Sequence, residues 1–195
     1  MNNNIWQIRE EKKICCLDID GVLNDYPKCW VDYINSSTEN NFKDLNEAKA
    51  TIAYDKYRKL KEKYRTSGVK ETLAANPQAS RVTKALKGLE YSIVLMTARP
   101  AHEYPTLYTQ TMNWLKNNEI EHDYIFFEER NKHSKILSEV PHMKFMVEDN
   151  SYNANQISKW GYKVFLMETQ YNKGLKLGRN VTSINKLEKV LEGLK

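Results

Sequence analysis

Asp18 and Asp20 stand two residues apart in Leu17-Asp18-Ile19-Asp20-Gly21, directly after the apolar run Ile14-Cys15-Cys16-Leu17. On extended backbone that spacing points both carboxylates to one side, with Cα atoms about 6.5–7 Å apart. Gly21 would let the chain turn sharply away. Taken alone, the pattern is also that of a turn in which Asp and Gly merely end a strand. Other segments add to it. Met96-Thr97-Ala98-Arg99-Pro100 ends a second apolar run with a hydroxyl and a guanidinium. Val147-Glu148-Asp149-Asn150 ends another with two acids, and Lys132 and Lys135 follow the run Tyr124–Phe127. Acids, hydroxyl and ammonium at successive strand ends are the parts that bind a metal and a phosphate together. The bland alternatives are a strand threonine, helix-capping acids and solvated lysines. They would require several coincidences in the right order.

These groups need a scaffold that delivers strand ends to one edge. Ile14–Leu17, Ser92–Thr97, Tyr124–Phe127, Lys144–Val147 and Lys163–Met167 are short and apolar on both faces, as buried parallel strands are. Helical stretches separate them: Pro105–Asn117, Ser134–Val140 and Ser151–Trp160, the last with Asn150 or Ser151 as a cap and Gly161 as a stop. A final helix is expected over about Ser183–Leu194. The alternation predicts an α/β fold with a doubly wound parallel sheet, whose ligand crevice lies beyond the carboxyl ends of the strands. Residues 24–77 break the rhythm. They hold no convincing strand, and Leu45, Ala48, Ile52, Tyr57, Leu60 and Tyr64 recur at near-helical spacing. This predicts a small helical cap inserted after the first strand (24–77), with residues 1–23 and 78–195 forming the core.

Composition bounds the rest. A chain of 195 residues with 41% hydrophobic and 28% charged residues suits one globular domain carrying a small insertion. No apolar run approaches the ~18 residues of a membrane span. The start MNNNIWQIREEKK lacks the apolar stretch of a signal peptide. Cys15, Cys16 and Cys29 form no disulfide framework; buried thiols in a cytoplasmic protein are expected, with Cys15 and Cys16 on opposite faces of one strand. The net charge of +5 favours anionic substrates without pointing to nucleic acid.

The ordered motifs resemble those of the haloacid dehalogenase (HAD) superfamily of aspartyl phosphohydrolases. They are Asp18–Val22 (DxDGV), the strand ending at Thr97, a lysine, and Glu148-Asp149. More narrowly, TARP at Thr97–Pro100, VEDNSYNA at Val147–Ala154 and ETQYNKG at Glu168–Gly174 are similar to the 5'(3')-deoxyribonucleotidase-like branch. The resemblance implies a Rossmann-like core and a Mg²⁺-dependent phosphatase, with a nucleoside monophosphate as the expected substrate. Sugar phosphates, nucleic-acid 3' ends and a non-catalytic binding role are the alternatives.

In that chemistry Asp18 would attack phosphorus and Asp20 would protonate the leaving oxygen, then deprotonate water. Mutual repulsion and partial desolvation would raise the pKa of one of the two carboxyls. The expected Mg²⁺ ligands are the Asp18 carboxylate, the Asp20 backbone carbonyl and Asp149, with Glu148 direct or through water. Thr97 would hydrogen-bond the phosphate. Lys132 would neutralise its charge, with Lys135 as the second candidate. Arg99 either contacts substrate or braces the loop through an acid, and bracing is favoured. Tyr26, Trp30 and Tyr33 are expected to pack as core more than to stack on a base. Lys56, Arg58, Lys59, Lys61, Lys63 and Arg65 read as a solvated helix face. His102, His122, His133 and His142 form no metal pattern.

Overall fold

The structure, a computed structural model, describes residues 13–128 and 130–194. The polar start weighed against a signal peptide lies outside them apart from Lys13. Six strands form one parallel sheet: β1 (Ile14–Leu17), β2 (Ser92–Met96), β3 (Tyr124–Phe126), β4 (Met143–Glu148), β5 (Lys163–Met167) and β6 (Val181–Ile184). Their order is β3-β2-β1-β4-β5-β6, with every neighbouring pair parallel. The chain therefore winds outward from β1 to one edge, then returns past β1 to wind toward the other. This is the expected doubly wound α/β sheet, and its direction reverses at β1, where a crevice opens.

Strand alternation assigns the two faces. Cys15, Leu17, Ile93, Leu95, Phe145, Val147, Phe165 and Met167 join one buried cluster, and Ile14, Cys16, Val94, Met96, Met146, Val164 and Leu166 join the other. Cys15 and Cys16 thus occupy opposite faces, and all three cysteines are buried free thiols. Burial pushes the Cys29 thiol up to about 11 and raises the other two further, so none is a ready nucleophile. Helices α4 (Ala79–Gly88) and α5 (Thr106–Asn117) cover the first face through Val82, Leu86, Trp114 and Leu115. Helices α6 (Lys132–Glu139) and α7 (Ser151–Lys159) cover the second through Ile136, Ala154 and Ile157. Asn150 caps α7, its side chain accepting from the N–H groups of Tyr152 and Asn153.

Between β1 and β2 lie α1 (Lys28–Thr38), α2 (Leu45–Thr51), α3 (Tyr54–Thr66) and a 3₁₀ turn at Val69–Glu71. Trp30, Val31 and Ile34 of α1 and Leu60 and Tyr64 of α3 are buried in the first-face cluster. Each such buried side chain is worth about 1.5–3 kcal/mol. The segment leaves and rejoins the core at one point. Asn24 bridges Ala75, and the Asn76 N–H donates to the Leu23 carbonyl at 2.8 Å.

The end of the chain differs from expectation. Val181–Ile184 is an edge strand beside β5, and only Lys189–Glu192 (α8) is helical. Leu187, Val190, Leu191 and Leu194 carry a helical spacing that masks the short Val-Thr-Ser-Ile before them, whose two central residues are polar. In the strand Thr182 and Ser183 are exposed and Ile184 is buried, as an edge strand allows. Among the described residues no helix is long and apolar enough to cross a membrane.

Candidate active site

Asp18 continues β1 by one residue, donating its N–H to the Val147 carbonyl at 3.0 Å. Its Oδ1 accepts from the Ile19 N–H at 2.7 Å, and its Oδ2 lies 2.6 Å from Lys132 Nζ. Lys132 opens α6, is 1% exposed, and reaches Glu148 Oε2 at 2.8 Å as well. The second oxygen of Glu148 accepts from the Asn150 N–H at 3.2 Å. Asp149, next along, is clamped from the loop after β5. The Tyr171 hydroxyl donates to its carboxylate, and Asn172 Nδ2 donates to its backbone carbonyl at 2.7 Å. Gly21 passes directly over this carboxylate with φ +90°, and a Cβ there would collide with it. The glycine in the first motif is thus demanded twice, by conformation and by space.

Asp20 belongs to a second cluster. Arg99 grips it with both ends of its fork, Nη2 to Oδ1 at 2.8 Å and Nε to Oδ2 at 3.1 Å. Asn24 Nδ2 donates to Oδ1 at 2.7 Å, and Lys70 Nζ stands 3.2 Å from the same oxygen. Arg99 is itself fixed by Thr111 Oγ1 at 3.0 Å and lies over the Trp114 ring. Thr97 is buried beside it, its Oγ1 accepting from the Arg99 N–H at 3.3 Å. Arg99 therefore braces Asp20, the reading the sequence favoured.

The two aspartates are pushed in opposite directions. Desolvation drives the Asp18 carboxyl up to about 7, opposed by Lys132 and reinforced by Glu148 and Asp20. Desolvation works against ionisation at Asp20 too, yet Arg99 and then Lys70 hold it well below the ordinary carboxylate range. Asp149 is raised by desolvation and by its neighbours Asp18 and Glu148. Asp18, Glu148 and Asp149 each offer a carboxylate oxygen within 4.8 Å of the others. Lys132 is the one ammonium within ion-pair distance of this trio among the described residues, and two of the three carboxyls are raised, so the cluster is short of positive charge. Crowded, buried oxygen donors suit a hard divalent cation, and this donor set fits one.

Asp18, Asp20, Arg99, Lys132, Glu148 and Asp149 all line one cavity of about 530 Å³. Lys135 instead carries its ammonium 4.6 Å from the Phe126 ring centroid, so Lys132 is the lysine at the carboxylates. Trp30 packs among Tyr33, Tyr57 and Tyr64, with centroids 4.7–5.8 Å away, while Tyr26 and Trp30 also reach the cavity wall. No histidine joins a metal-type cluster among the described residues. Sequence reasoning missed Lys70, Asn24, Tyr171 and Asn172. Lys70 approaches from 50 residues beyond Asp20 and has no local signal. The last two lie in ETQYNKG, which was legible only as a resemblance.

No protein-family model matches the chain. A nucleotidase of Clostridium acetobutylicum is 29% identical over 168 residues, covering 81% of each chain. Among solved structures, a haloacid dehalogenase-like hydrolase of Streptococcus pneumoniae matches with TM-score 0.66 at 13% identity, over 93% of this chain and 98% of that one. A HAD hydrolase of Bacillus subtilis, solved with magnesium, matches with TM-score 0.62 at 13% identity, over 95% and 99%. These structural likenesses establish a shared fold.

Proposed function

We propose that this chain, which has the haloacid dehalogenase fold, is a Mg²⁺-dependent phosphatase acting on nucleoside monophosphates through an aspartyl-phosphate on Asp18. The observation that carries the reading is the Asp18 carboxylate, held at the end of the central strand between Lys132 and the paired acids Glu148 and Asp149. Asp18, Asp149, the Asp20 carbonyl and Glu148 would hold the ion. When bound, Mg²⁺ offsets the repulsion between carboxylate and phosphate dianion and polarises the phosphoryl oxygens. Asp18 attacks phosphorus, the ester P–O bond breaks, and the leaving oxygen takes a proton from Asp20. Water then attacks the acyl phosphate, Asp20 receives its proton, and Asp18 and inorganic phosphate separate.

Pairing with Arg99 and Lys70 favours the ionised Asp20, the form that deprotonates water. An arriving phosphate dianion favours the acid form, which protonates the leaving group. Lys132 neutralises the transferring phosphoryl group, and Thr97 donates its hydroxyl proton to it. Residues 24–77 act as the cap over a core to which the described residues 13–23, 78–128 and 130–194 belong, since Tyr26, Trp30 and Lys70 of that segment line the cavity. Buried, unpaired cysteines suit a cytoplasmic enzyme. The nucleoside preference is supported by the C. acetobutylicum relative.

The test is phosphate release from 5'- and 3'-nucleotides, sugar phosphates and 3'-phosphorylated oligonucleotides, with Mg²⁺ and with chelator. Chelator-sensitive turnover of mononucleotides is expected. Turnover confined to sugar phosphates or oligonucleotides rejects the substrate. Turnover indifferent to chelator rejects the metal.

A further inference from the structure

The cations of the cavity fall into two sets. Lys70, Arg99 and Lys132 sit deep and buried, and each is matched by a carboxylate: Asp20 for the first two, Asp18 and Glu148 for the third. Nearer the rim stand Lys49 of α2, Lys61 and Arg65 of α3, and Arg130 of the loop before α6. No carboxylate of the described residues lies within ion-pair distance of any of these four. Of the other acids in the wall, Asp44 turns its Oδ1 to the N–H groups of Asn46 and Glu47 as the cap of α2, and Asp20, whose charge Lys61 feels, is already matched by Arg99 and Lys70.

Lys61 and Arg65 are one helical turn apart, on the same side of α3. Of the six basic residues whose spacing suggested a solvated face, these two line the cavity. The crowding is felt: desolvation first, then Arg65, Lys49 and Arg130, hold the Lys61 ammonium below its ordinary value. Like charges gathered in a half-enclosed cavity repel one another, and an anion relieves the repulsion. The phosphoryl group being transferred cannot be that anion, because on the reading above it belongs beside Asp18, Lys132 and Thr97.

We propose that the rim cations form a second phosphate subsite, and that the enzyme's preferred substrate is a nucleoside carrying two phosphates, one cleaved at Asp18 and the other held by Lys49, Lys61, Arg65 and Arg130. The inference rests on the phosphatase reading above and deepens it. A nucleoside 3',5'-bisphosphate matches both demands, and a cavity of about 530 Å³ is within the usual 300–1,000 Å³ of small-ligand sites. Because Lys49, Lys61 and Arg65 come from the segment between β1 and β2 and Arg130 from the core, the second phosphate would also tie the two together.

The experiment compares kcat/KM for adenosine 3',5'-bisphosphate and for the 5'- and 3'-monophosphates, in the wild type and in K61Q/R65Q. Both side chains lie on a surface helix, and a thermal melt checks the fold. The wild type is expected to prefer the bisphosphate by roughly 10²-fold, as one or two charge-assisted contacts provide. The ratio should collapse toward one in the double variant and be kept within about threefold in K61R. Equal use of mono- and bisphosphate by the wild type, or an unchanged ratio in the double variant, overturns the second subsite and leaves the phosphatase reading standing. A 3'-phosphorylated oligonucleotide outcompeting the bisphosphate overturns the small-molecule assignment. Calorimetric binding of the bisphosphate to D18N gives a readout independent of turnover. Binding there that weakens in D18N/K61Q/R65Q, with no hydrolysis by the wild type, keeps the subsite and rejects the catalytic reading.

Discussion

Asp18→Asn is expected to lower phosphatase turnover by roughly 10⁴-fold or more while leaving the protein folded. The amide cannot form the acyl phosphate, so the two-step route closes. The contacts around Asp18 give the reason the fold should survive. An amide oxygen can still accept from the Ile19 N–H, a bond now made at 2.7 Å. Lys132 keeps its 2.8 Å contact with Glu148. Removing one charge from a buried trio of acids relieves the repulsion and desolvation that push the Asp18 carboxyl up to about 7. The metal-free variant should therefore melt at or above the wild-type temperature. Phosphate-release assays and a thermal melt check both halves. Near wild-type activity would remove Asp18 as the nucleophile.

Lys132→Met has the opposite character. Lys132 is buried and stands between Asp18 and Glu148, so its loss leaves two buried carboxylates without their cation. Breaking such a cluster from one side costs about 3–5 kcal/mol. In a domain of this size the melting temperature of the metal-free protein should fall by roughly 6–20 °C. Turnover should fall by about 10²–10³-fold through the lost stabilisation of phosphoryl charge. Mg²⁺ should restore part of the stability, because it binds the folded carboxylates and not the unfolded chain. Lys135→Met is the control. Its ammonium lies against the Phe126 ring, and turnover should stay near the wild-type rate. Equal effects of the two substitutions would mean that Lys132 is not the cation of the site.

What the sequence disclosed follows from how local its signals are. Apolar runs bounded by acids announced β1 and β4 together with the residues at their ends, because strand and motif are contiguous. Asp18, Lys132, Glu148 and Asp149 come together from such segments. Contacts made by loops far along the chain left no local trace. Lys70 reaches Asp20 from a 3₁₀ turn, and Asn172 reaches the Asp149 carbonyl across 23 residues. Edge strand β6 was hidden because its two central residues, Thr182 and Ser183, are polar and exposed, so Val-Thr-Ser-Ile shows too little apolar character beside the helical spacing that follows it. Lys61 and Arg65 share a helix with exposed lysines, and periodicity cannot say which side of α3 faces a cavity instead of bulk water.

Passage of the phosphoryl group through Asp18 can be tested on the wild-type protein directly. Enzyme and substrate are mixed with Mg²⁺, quenched in acid within milliseconds, treated with borohydride and mapped by mass spectrometry. An acyl phosphate on Asp18 is reduced to homoserine. Homoserine is expected at position 18, dependent on substrate and Mg²⁺ and absent from Asp18→Asn. Turnover with no modification at position 18, or with the phosphoryl group captured on another residue, would contradict it.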